Sequence, residues 1–119
     1  MAITQTMCTS FKKEILEATH NFSASGGHTF KIALYTSSAT IGADTTVYVT
    51  AGEASGAVYV AGGFTLTNTG VSSGGTTGFS DFGDAYWNSS SITARGALIY
   101  NSSQSNKAVC VLIFGADIT

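Results

Sequence analysis

Several groups of residues in this chain have the types that catalysis or ligand binding uses. Gly70-Val71-Ser72-Ser73-Gly74 spells G-x-S-x-G, the pattern that holds a nucleophilic serine on a strained strand-to-helix turn beside a histidine. Here a Gly, Ser and Thr stretch follows instead of a helical one, so no hydrolase is expected from Ser72. Asp81-Phe82-Gly83 matches the kinase magnesium triplet but lacks the phosphate loop, strand lysine and catalytic loop that give it meaning. His20 and His28 have no carboxylate or cysteine at ligand spacing, and the reading for both is a surface or capping histidine. Asp81 and Asp84 have the types of a glycosidase pair, yet in a Gly-containing turn aspartates bond their own backbone. Tyr86 and Trp87 suit a sugar site, and core packing accounts for Trp87 as well. No catalytic, cofactor-binding or metal-binding residue is therefore expected, and no enzyme.

Cys8 and Cys110 are too few and too far apart for a disulfide framework or a zinc site. Cys110 lies within the apolar run Ala108–Phe114 and reads as a small buried hydrophobe. The Asn-x-Ser/Thr triplets at Asn21, Asn88 and Asn101 read as turn residues.

Charged residues form only 10% of the 119 positions, and the net charge is −2, against roughly 25% charged in ordinary domains. The surface must then be built from Ser, Thr, Asn and Gly with some apolar area, which suits a chain packed against copies of itself or a partner. One arginine, Arg95, and one adjacent basic pair, Lys12-Lys13, argue against nucleic acid. No apolar run approaches the ~18 residues a membrane helix needs, and residues 1–10 lack the pattern of a signal peptide. Neither a membrane nor export by that route is expected.

The elements that would position these residues change character near Asn21. Met7, Phe11, Ile15, Ala18 and Phe22 recur at helical spacing, which predicts one amphipathic helix with Thr9 or Ser10 as its cap and Gly26-Gly27 beyond its end. Its other face carries Lys12, Lys13, Glu17 and His20. Strands follow over His28–Thr36, Thr45–Thr50, Ala57–Val60 and Phe64–Thr67. Asn68–Thr77 reads as a loop, and Phe79, Phe82, Tyr86 and Trp87 as an aromatic segment with a turn at Gly83-Asp84. Ser91–Tyr100 and Lys107–Phe114 form a hairpin around Asn101–Asn106, with the last strand central and covered on both faces. The prediction is a single mainly β domain over residues 1–119, a β-sandwich or jelly roll with one N-terminal amphipathic helix. Residues 1–22 form an anchor segment and residues 28–119 the β-body.

Three stretches also carry a resemblance: Ser10–Leu16, Thr29–Thr36, and Ile92–Asn101 with Ala108–Gly115. Together with Ala61-Gly62-Gly63 and Asp81-Phe82 between them, they resemble a family of small virion proteins of tailed bacteriophages. That resemblance implies a virion component made in the host cytoplasm. Among such components, a β-rich chain of this size is similar to capsid decoration or cement proteins, several of which are jelly rolls. The expected partners are the major capsid protein and copies of the chain itself, as a dimer or trimer. Met7, Phe11, Ile15 and Phe22 are the candidate capsid-contacting or self-contacting residues. A tail-fibre or host-recognition module is the alternative, binding surface glycans through Tyr86, Asn88 and the Asn101–Asn106 loop.

Overall fold

The computed structural model describes residues 3, 5–23, 26–56, 59, 61–82 and 94–118. It is mainly β. In chain order the elements are β1 (Thr6–Met7), α1 (Thr9–Leu16), β2 (Phe30–Tyr35), β3 (Phe64–Thr65), β4 (Asn68–Gly74), β5 (Thr77–Phe82), β6 (Ala94–Asn101) and β7 (Lys107–Ile118). Five strands make one antiparallel sheet in the order β1-β7-β6-β2-β3, and β4 and β5 form a separate two-stranded ribbon.

Register follows from the alternation of side chains. Ala33, Leu98 and Val111 stand opposite one another on β2, β6 and β7, and all three are buried. They join Tyr35, Tyr100, Ala39 and Ile41 in the main core. One residue along, Met7, Cys110, Ile99, Ile32 and Phe64 line up across all five strands. A slip of one residue on any strand would exchange these rows between the two faces, which is why one-sided burial fixes the pairing.

The central strand is β6, and β7 lies next to the edge. Ile113 and Phe114 are exposed, so β7 is not covered on both sides along its whole length. On its outer side the short β1 pairs with it at Cys110 and Val111. The expected strand over Thr45–Thr50 is instead an irregular segment. It touches the sheet through a bridge from Val47 to Lys107 and through bonds from Ala108 N–H to the Thr46 carbonyl and from Tyr48 N–H to the Asn106 carbonyl. Ala57–Val60 falls mostly outside the described residues.

The largest departure is the stretch read as a loop, which forms the β4–β5 ribbon. Gly, Ser and Thr give no apolar period, yet they pair well once a tight turn sets the register. That turn is the two-residue Gly75-Thr76, with Gly75 at φ 60° and Thr76 at negative φ. A glycine at the first central position is the pattern of a type II′ hairpin turn, whose twist matches that of the strands.

Helix α1 is shorter than its apolar spacing predicts. Cys8 takes the cap position, with no side-chain cap bond, in place of Thr9 or Ser10. Ala18 adopts a left-handed conformation at φ 58°. Thr19 N–H then bonds the Glu14 carbonyl, and Ala18 N–H the Ile15 carbonyl, which is a Schellman ending. The chain therefore reverses before Phe22, which reaches the core from a non-helical segment.

Candidate functional site

The N-terminal segment and the sheet face beneath it concentrate the features that could act on a partner. Phe11 is buried, and its ring lies 6.0 Å from Phe22 in an edge-on arrangement. Phe22 stacks on Phe30 at 4.3 Å, and Phe82 from the ribbon lies 5.6 Å from Phe30. These four rings pin α1 and the ribbon's end to the sheet, since offset and edge-on pairs add to simple burial.

The four candidate residues thus divide. Phe11 and Phe22 are used inside the protein. Met7 and Ile15 are 45% and 48% exposed, and Leu16, which the helical spacing did not single out, is 89% exposed. Met7 also terminates the cross-sheet row of Cys110, Ile99, Ile32 and Phe64, of which those four are half-buried. At the end of α1, Lys13 pairs with Glu17 at 2.8 Å. Exposed pairs of that kind contribute little to stability.

Beside the aromatic cluster lies a polar network that the sequence reading missed. His20 is not at the surface: its side chain is fully buried against Phe11, at 4.9 Å between ring centres. Its Nε2 lies 2.8 Å from Glu14 Oε1 and its Nδ1 lies 3.0 Å from Asn101 Nδ2. The same Asn101 nitrogen lies 3.0 Å from His28 Nδ1. Asn101 is fully buried, and its Oδ1 accepts from Ser103 N–H. Lys107 approaches Glu14 Oε2 at 3.9 Å. The signal that could have revealed this was the occurrence of two histidines around a tight Gly26-Gly27 reversal, but their common partner lies more than 70 positions further on.

Both nitrogens of His20 are engaged within the protein, so the network fastens the chain and offers no open base. Ser72 is exposed in the middle of β4 opposite Phe79, on a strand that leads to a turn and another strand, the geometry of a ribbon and not of a nucleophile elbow. Asp81 pairs with Gly70 in the same ribbon. Asp84, Tyr86, Trp87 and Asn88 lie outside the described residues.

A second polar cluster closes the other side of the sheet. Glu53 accepts from Tyr48 Oη at 2.5 Å, Tyr59 Oη at 2.6 Å and Gly62 N–H at 2.9 Å. Tyr100 donates to the Gly62 carbonyl and stacks on Tyr48 at 4.8 Å, while Tyr35 donates to the Val49 carbonyl. Burial, and then the hydrogen bond to the Glu53 carboxylate, push the Tyr48 and Tyr59 phenols far above their usual range. These phenols are held as neutral donors that tie the irregular segment to β2 and β6. Cys8 and Cys110 are free thiols, and burial pushes each up to about 11, which removes the thiolate that reactivity needs.

An open depression of about 560 Å³ is lined by residues of a single segment, from Thr40 to Val47 and Val49. Its walls are hydroxyl and apolar groups with one carboxylate, Asp44. Among the described residues no group of three or more His, Cys, Asp or Glu is placed to hold a metal ion, and no helix is long and apolar enough to cross a membrane. No protein-family model, curated protein or solved structure matches the chain.

Proposed function

We propose that this protein is a non-enzymatic virion structural protein, a capsid decoration or cement protein that binds an assembled shell and stabilises it. The observation that carries the reading is the division of α1. Phe11 plugs the helix into the body, while Ile15 and Leu16 on α1, and Met7 on β1, stay exposed. A docked helix that leaves apolar side chains exposed suits a second surface laid against them. The low charge of the chain supports attachment by burial and not by ion pairs. The proposed partners are the major capsid protein and further copies of the chain, as a dimer or trimer. The body is proposed to be a β-sandwich or jelly roll, with the five-stranded sheet as one layer. Copies bridging shell subunits would stabilise the assembled state by mass action.

Two measurements test this on purified particles. Densitometry should give copies on the order of the capsid subunit number, because a closed shell repeats its surface sites. A number in the tens would favour the tail-fibre or host-recognition reading. Washing from low to about molar salt should leave the protein bound, because apolar burial is not screened as ion pairs are. The double variant Ile15→Ser, Leu16→Ser should lose attachment while keeping its fold, and Lys12→Ala with Lys13→Ala should keep both. Release by moderate salt, or full binding of the Ile15/Leu16 variant, overturns the anchoring model.

A further inference from the structure

The two sheets of this molecule treat their edges differently. As far as Ile113, the outer edge of β7 is covered by the chain itself: the Thr46 carbonyl takes the Ala108 N–H, β1 pairs at Cys110 and Val111, and the Gln5 side-chain oxygen takes the Ile113 N–H. At the opposite edge, β3 is only two residues long. Covered amides and short edge strands keep a sheet from pairing with other chains. The β4–β5 ribbon has no such protection. It is a sheet of two strands, and no third strand lies beside either of them.

Register decides which of its backbone groups are open. Gly74 and Thr77 flank the two-residue turn and so form a hydrogen-bonded pair. Alternation along antiparallel strands makes Ser72 and Phe79 the next such pair, with Ser73–Gly78 and Val71–Ser80 as the non-hydrogen-bonded pairs between. The N–H and C=O groups of Val71 and Ser73 therefore point away from β5, and no bond joins them to a described residue. Val71, Ser72 and Ser73 are all exposed, Val71 to 61%. A charge or a proline would blunt such an edge. Residues 68–80 contain no charged side chain, and the chain has no proline.

The open stretch is bounded on one side by the Gly75-Thr76 turn and on the other by the register shift between Asn68 and Gly70, where Gly70 has φ 119°. Between these limits the edge is complementary to itself. An antiparallel copy related by a two-fold axis at Ser72 sets Val71 of each chain against Ser73 of the other, so both outward residues on both chains are bonded, and Ser72 meets its own counterpart. The outer edge of β5 is less suited, because Asp81 follows its outward Ser80. We propose that β4 is a self-association edge, which pairs antiparallel with β4 of a second copy about Ser72 and joins two ribbons into one sheet. This deepens, and rests on, the self-association part of the capsid reading. One strand edge buries far less than the ~1,000 Å² of a lasting interface. The pairing is therefore reversible in the free protein and strengthened where copies are held side by side.

Disulfide trapping of the free full-length protein tests it, in a Cys8→Ala, Cys110→Ala background so that only an introduced thiol reacts. The two-fold pair at Ser72 has its Cα atoms about 4.5 Å apart, within the range a disulfide spans. Thr76 at the ribbon's tip lies roughly 25 Å from its counterpart in the same arrangement. Under copper phenanthroline, Ser72→Cys should form homodimers at least about tenfold faster than Thr76→Cys. Adding Ser73→Pro removes an outward N–H and leaves the bonds to β5 intact, so it should bring the Ser72→Cys rate down to that of Thr76→Cys. Equal rates for the two cysteine variants, faster trapping at Thr76→Cys, or a Ser72→Cys rate untouched by Ser73→Pro each overturn the proposal. Because the trap is read without particles, its failure leaves attachment to a shell untouched. Failure to attach with the trap intact overturns the capsid reading alone.

Discussion

The chain contains two antiparallel hairpins whose strands are held in place by different means. β6 and β7 pair within the five-stranded sheet, with Leu98, Ala97, Tyr100, Asn101, Ala108 and Val111 buried. β4 and β5 form a ribbon on their own, and its outer residues from Val71 to Thr76 are exposed. The first pair is fixed by what its side chains touch. The second depends on a two-residue turn and on the anchorage of its inner end by Phe82 and Asn68. An isolated two-stranded hairpin is marginal in water, so the ribbon's outer half should open long before the sheet does. Stability in this molecule is therefore graded along the chain, as local unfolding units generally are.

The sharpest test of that difference places a carboxylate in each hairpin. Leu98→Asp should abolish folding, because a buried unpaired charge is costly in a site with no partner for it. Val71→Asp, at a position 61% exposed, should change unfolding free energy by no more than about 0.5 kcal/mol. Urea titrations followed by far-UV circular dichroism read both, and a folded Leu98→Asp protein would break the contrast.

A smaller effect asks how much the β6–β7 pair owes to what covers it. Phe11→Ala should cost about 3–5 kcal/mol, the usual loss for a buried aromatic. Ile15→Ala, half-exposed on the same helix, should cost under about 1 kcal/mol. Similar losses for the two would mean that α1 buries a different face from the one described. Alkali probes the same layer. The Cys8 and Cys110 thiols are pushed up from 9.0 to about 11 by burial, so the unfolded chain gives up those protons first. Their contribution is intact below about pH 9 and is lost as pH rises toward about 11. Unfolding midpoints measured across that window should fall less in a Cys8→Ala, Cys110→Ala variant than in the parent, once each is referred to its own value at neutral pH.

How legible each hairpin was in the sequence follows from the same contrast. Val109, Val111 and the alternating residues of β2 and β6 announce their strands because burial selects apolar side chains at every second place. The ribbon's outer Val71-Ser72-Ser73-Gly74 faces solvent, so nothing selects for hydrophobicity there and the stretch reads as a loop. The candidate site was legible in the same proportion. The helical spacing picked out Phe11 as an apolar contact for a partner, and the structure buries it within the protein instead. The break at Ala18 was hidden, because an alanine in the left-handed region is set by tertiary context and not by propensity. Ala18→Gly should remove that strain and raise stability by about 0.5–1 kcal/mol, measured as an upward shift of the urea midpoint. The histidine network escaped notice because its geometry is made by Asn101, a residue whose neighbours in sequence say only that a turn follows.

The smallest global effect, and the most discriminating local one, comes from the second member of a pair of glycine substitutions. Gly63 and Gly75 both have positive φ, 89° and 60°. A methyl on Gly63 would meet the Ile32 carbonyl oxygen at 1.9 Å, on the strand β3 pairs with. Gly63→Ala therefore combines backbone strain with a clash against the sheet and should cost at least ~3 kcal/mol of global stability. Gly75 has no atom within 4 Å of an added methyl. Gly75→Ala meets only the conformational penalty at the turn, about 1 kcal/mol, and that penalty is confined to a ribbon already exposed. The global urea midpoint of Gly75→Ala should hence move by no more than the equivalent of about 0.5 kcal/mol. Amide exchange across residues 71–80 should meanwhile quicken about fivefold, the local equivalent of ~1 kcal/mol. If the global midpoint falls by the full local penalty, the ribbon folds and unfolds with the sheet as one unit, and the graded picture of the two hairpins is wrong.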